Sequence, residues 1–78
     1  MQKKVSQFVE KVSQLHEVDY GDFKRKVGQY LNELAEHKDL GRDQQRIIME
    51  IRNNVVFVGT GDIETGRKEA ISLAEKLK

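Results

Sequence analysis

Cysteine, proline and tryptophan are all absent from the 78 residues. Without cysteine there is no disulfide and no thiolate metal site, and the chain fits a reducing compartment. The absence of proline suits long uninterrupted helices and argues against a linker-rich or polyproline chain. Aromatic residues make up only 6% of the chain. No run of apolar residues exceeds Val55-Val56-Phe57-Val58, far below the roughly 20 a membrane span needs. The basic start Met1-Gln2-Lys3-Lys4 is followed by Ser6, Gln7, Glu10 and Lys11. No hydrophobic signal segment forms there, so a cytoplasmic protein is expected.

Charge of one sign is lacking too. Charged residues make up 35% of the chain, yet the net charge is +1. Residues 1–39 hold seven basic and seven acidic side chains, and residues 40–78 hold seven and six. Neither half is a charged tail, and net charge gives no support to bulk nucleic acid or an anionic membrane as a partner.

What the chain does have is helical periodicity. Tyr20, Phe23, Val27, Tyr30, Leu31 and Leu34 recur at steps of three and four, so they share one helix face. Lys24, Arg25, Gln29, Asn32, Glu33 and Glu36 take the other face, the pattern of a helix lying half-buried on a core. Asp19 is the natural N-cap. Before it, Val5, Phe8, Val9, Val12 and Leu15 predict a first helix over about Lys3 to Glu17, with a very short link near Val18. The second helix is expected to end before Gly41, read as a left-handed stop. Gly28, inside it, reads either as a tolerated surface glycine or as a close helix crossing.

Asp43 predicts a third helix starting around Arg42, with Ile47, Ile48, Ile51, Val55 and Val58 as its stripe. Asn53 and Asn54 are poor helix residues, and Val55 to Val58 would suit a strand. No second strand candidate exists, so helix is expected through about Phe57. Gly59-Thr60-Gly61 then breaks the chain. Asp62 or Thr65 caps a last helix carrying Ala70, Ile71, Leu73, Ala74 and Leu77, with Gly66 expected to weaken its start. The fold is therefore expected to be all-α: three to four helices around a single core, in one domain.

Motifs for chemistry are few. Val55-Val56-Phe57-Val58-Gly59-Thr60-Gly61 resembles the opening of a dinucleotide-binding unit, where a strand delivers a glycine-rich turn to a helix N-terminus. Glu64 stands where the third glycine belongs, and no partner strand follows. A milder form of the same idea is a bare anion site at Thr60, Gly61 and the amides of the last helix. His16 and His37 are the only histidines. Glu33 and His37 are two ligands on one turn, too few for a metal site. No nucleophile, base and orienting group stand at a spacing that a helix would align. No metal, no cofactor and no catalytic residue are expected.

Glu33-Leu34-Ala35, then Gly41, then Gln44-Gln45 and Ile47 resemble the helix-turn-helix segment of phage repressors. The resemblance covers under a third of the chain and implies a small DNA-binding regulator that uses Arg42, Gln44, Gln45 and Arg46. It departs from that family in spacing, because Ala35 lies six residues before Gly41 and His37 holds the alanine's place. Asp43 would also repel phosphate. Lys24-Arg25-Lys26 makes no basic stripe, since consecutive residues spread around a helix at about 100° each.

The leading expectation is a non-enzymatic interaction module, an adaptor, regulator or immunity-type partner protein. Val18, Met49, Val56 and Phe57 are surplus to the core stripes, and apolar residues left near a surface mark interfaces. A protein partner or a second copy of the chain is expected on them.

Overall fold

The computed structural model describes residues 2–78. Four α-helices run in the order α1 Gln2–Ser13, α2 Tyr20–Ala35, α3 Arg42–Ile51 and α4 Ile63–Glu75. A π-helical segment, Arg52–Val58, continues α3. There is no strand among the described residues, so the protein is a small all-α bundle. α1 packs on α2 and α4, and α3 packs on α4 and α2.

One cluster of fifteen buried residues forms the core. Val5, Phe8, Val12 and Leu15 enter from the N-terminal segment, and Phe23, Val27, Leu31 and Leu34 from α2. Ile48, Ile51 and Val55 follow, then Ala70, Leu73, Ala74 and Leu77. These are the expected stripes with their edges trimmed. Val9, Tyr20, Tyr30, Ile47 and Ile71 are half-buried against the cluster. No polar or charged residue is buried among the described residues.

Carboxylates start two of the helices. Asp19 Oδ1 accepts from the Asp22 amide at 2.8 Å and caps α2. Asp62 Oδ1 accepts from the Thr65 amide at 2.7 Å and caps α4. Each satisfies a free backbone donor at the positive end of a helix.

Several expected boundaries move. α1 ends at Ser13, not near Glu17, and the link to α2 spans 14–19. Leu15 keeps its buried place without being helical. α2 stops at Ala35, well short of Gly41. Gly41 is not a left-handed stop: its backbone is extended (φ −76°, ψ 170°) and it is the N-cap of α3. With no side chain of its own, it makes half of a capping box, its amide donating to Gln44 Oε1 at 3.0 Å. α4 begins at Ile63, so Gly66 does not delay it.

Gly66 has another role. A Cβ there would stand 2.6 Å from Cε2 of the fully buried Phe23 ring. The close helix approach is therefore at Gly66. At Gly28 the nearest atom, Val56 Cγ1, is at an ordinary 3.7 Å.

The stretch expected to be helical through Phe57 is helical, but more widely wound. The Gly59 amide donates to the Asn54 carbonyl at 3.1 Å, five residues back. Each residue of a π turn therefore advances by less than the α-helical ~100°. That rotates Val58 off the face it would share with Val55. Val55 is fully buried, whereas Val58 is 74% exposed, which corrects its expected place in the core.

Candidate functional site

Among the described residues the exposed large apolar side chains are Met49 (68%), Phe57 (68%) and Val58 (74%). Met49 and Phe57 line one shallow hollow together with Glu50, Arg52 and Asn53. Met49 also borders a second hollow, against Leu40, Ala35 and Ile48. The result is an apolar surface along α3 and the π segment, edged by charges of both signs.

Of the four residues expected at an interface, Met49 and Phe57 lie on this surface. Val56 and Val18 are half-buried and pack against the core, Val18 from the α1–α2 connection. Sequence reasoning placed Val58 in the core and did not single out Leu40. Leu40 lies in the α2–α3 connection, where no periodicity marks it.

The residues of the helix-turn-helix reading stand at the start of α3. Arg42, Gln45 and Arg46 are exposed and Gln44 is half-buried. Three of the four side chains have partners inside the chain. Gln44 holds the Gly41 amide. Gln45 Nε2 donates to the Leu40 carbonyl at 3.4 Å. Arg46 Nη1 lies 3.8 Å from Asp43 Oδ1. The connection from α2 to α3 covers 36–41, longer than the three or four residues of a helix-turn-helix.

The glycine turn that resembled a phosphate-binding loop encloses a phenol. The Thr60 amide donates to the Tyr20 hydroxyl oxygen at 2.7 Å, and the Gly61 amide donates to it at 3.0 Å. Gly59 (φ +82°) and Gly61 (φ +93°) adopt left-handed backbone that side chains rarely tolerate. A Cβ on Gly59 would also stand 2.6 Å from the Tyr20 oxygen. The Lys24 ammonium sits 5.2 Å from the ring centre. Burial pushes the phenol's pKa up, but the Gly61 amide, Thr60's side chain and amide, and Lys24 outweigh it. The pKa falls below the ordinary 10.0.

Asp62 is the other shifted group. The Thr65 amide and hydroxyl hold its carboxyl below 3.8, helped by the Glu64 amide and Lys68 and opposed by desolvation. Both shifts come from groups that fasten the chain to itself.

His16 and His37 lie in the two connections after α1 and α2. His37 Nδ1 accepts from the Asp39 amide at 3.2 Å. No group of three or more metal-ligating side chains gathers among the described residues. A small hollow of about 30 Å³ lies between Phe8, Lys11, Tyr30 and Leu34, with room for little more than a water. No described helix is long and apolar enough to cross a membrane.

This arrangement defines a small four-helix protein with an exposed apolar surface along α3 and the π segment. No protein-family model, no curated protein and no solved structure matches the chain.

Proposed function

We propose that the protein is a non-enzymatic interaction module, an adaptor, regulator or immunity-type partner protein. It binds another protein surface through the Met49–Phe57 face. The observation that carries this reading is the exposure of Met49, Phe57 and Val58 along one stretch of α3 and the π segment. Covering a phenylalanine of this kind contributes about 1.5–3 kcal/mol, and exposed apolar patches rimmed by polar groups mark interaction sites. The π winding beneath the patch supports it, because such turns recur at functional sites. The two groups with shifted pKa, Tyr20 and Asp62, hold the glycine turn and the cap of α4. The absence of cysteine suits a cytoplasmic setting.

The test compares immobilised wild type with Phe57→Asp, each offered an extract of the native source at low and at raised salt. Retention by the wild type alone, indifferent to salt, supports an apolar interface. Equal retention by both proteins overturns it. Retention of nucleic acid that collapses as salt rises, through counterion release, favours instead the DNA-binding reading through Arg42 and Arg46.

A further inference from the structure

We infer that the Tyr20 hydroxyl holds Arg52–Val58 in its π winding, and that its release rewinds the segment as α-helix, drawing Val58 inward and turning Val56 out. This conformational device goes beyond the interaction reading and requires no partner.

The angles come first. Were α winding to continue past Ile51, Val58, seven residues on, would return to within about 20° of the Ile51 direction. Ile51 is fully buried, so Val58 would face the core. Val56, five residues on at about 100° each, would stand about 140° from Ile51 and face water. The observed segment has the reverse arrangement. Val58 is exposed, while Val56 is half-buried against the core and lies over Gly28 of α2. Val55 lies about 40° from Ile51 in α winding and is fully buried as observed, so it faces the core either way. One change of winding therefore exchanges two valines between core and surface.

π winding is rare and occurs mostly as single turns inside α-helices, so seven residues of it need a restraint. The restraint lies at the C-terminal end. The Gly59 amide donates to the Asn54 carbonyl, and the next two amides, of Thr60 and Gly61, both donate to the Tyr20 hydroxyl oxygen. Tyr20 opens α2 and its ring stacks on the buried Phe23, which fixes that oxygen relative to the bundle. Rewinding passes the Gly59 amide from the Asn54 carbonyl to that of Val55. An α turn also holds fewer residues than a π turn, so Gly59 moves both around and along the axis. Thr60 and Gly61 then lose their common acceptor. The contact has no slack, since a Cβ on Gly59 would stand 2.6 Å from the Tyr20 oxygen. The latch thus couples the start of α2 to the make-up of the apolar surface: closed, it keeps Val58 there beside Phe57; open, it withdraws Val58.

A chain without cysteine lets single thiols report the exchange. Val58→Cys, Val56→Cys and Met49→Cys are each made in the wild-type background and with Tyr20→Phe, and their rates of reaction with a soluble disulfide reagent are compared. Tyr20→Phe should slow Val58→Cys and quicken Val56→Cys by about fivefold each, the shift that loss of one net hydrogen bond produces. Met49→Cys, upstream of the π segment, should not change. Gly59→Ala opens the same contact from the other side and should give the same exchange. In isotope-labelled protein, coupling across the hydrogen bond should pass from the Gly59–Asn54 pair to Gly59–Val55 on Tyr20→Phe. A latch that merely stabilises the fold would quicken all three thiols together, and that result overturns the inference. So do unchanged rates, or a Gly59–Asn54 coupling that survives both variants. Because no partner enters the measurement, its failure leaves the interaction reading untouched, and the converse holds.

Discussion

The Tyr20 hydroxyl accepts a hydrogen bond from the backbone amide of Thr60, 40 residues further along, at 2.7 Å. With the Gly61 amide it fastens the start of α2 to the turn between the π segment and α4. Tyr20→Phe keeps the ring, which stacks on Phe23 with centroids 6.2 Å apart, and removes only the acceptor. Two amides then lose their partner. The expected loss is about 1–2 kcal/mol, since one such bond nets about 0.5–1.5. Urea unfolding of both proteins measures it, and an unchanged midpoint would show the latch to be energetically idle.

The same contact predicts an alkaline signature. A phenol with a folded pKa below its unfolded value favours the phenolate in the native state. Below the folded pKa both states are protonated and the group adds no pH dependence. As pH climbs from the folded pKa towards 10.0, this group's contribution to stability grows, and it disappears again as pH falls back through the folded pKa. Ultraviolet titration of the folded protein should show a tyrosine ionising below the ordinary value, and Tyr20→Phe should remove that component. If the early component survives the substitution, it does not belong to Tyr20.

Two glycines should respond to alanine with opposite signs. At Gly66 the new methyl group meets the buried Phe23 ring at 2.6 Å. Overpacking of this kind costs about 1–3 kcal/mol, against roughly 1 kcal/mol gained in helix propensity. At Gly28 the nearest atom is 3.7 Å away, so alanine should stabilise by about 0.5–1 kcal/mol. Thermal melts of the two variants should move in opposite directions, and a stabilising Gly66→Ala would place the close approach elsewhere.

Leu31 is fully buried in the middle of α2. Leu31→Ala should cost about 2–5 kcal/mol, enough to unfold much of a domain this small. Circular dichroism at 25 °C reads it out, and a loss under about 0.5 kcal/mol would contradict the burial of this face.

What the sequence determined by itself was local. The spacing of Val5, Phe8 and Val12, and of Phe23, Val27, Leu31 and Leu34, specifies helices and their buried faces. A helix face depends only on neighbours three and four residues away. Asp19 and Asp62 were legible as caps for the same reason, since each bonds an amide three residues on. Half of the candidate surface, Met49 and Phe57, was legible as apolar residues left over from those faces. The tertiary structure decided the rest, because it depended on contacts between distant segments. Gly66 reads as a weak helix residue until Phe23 is packed against it. The glycine turn reads as an anion loop until the Tyr20 oxygen occupies its amides. Val58 reads as core on α-helical geometry. Only the π winding over Arg52–Val58, in a segment packed against α2, turns it out to solvent beside Phe57.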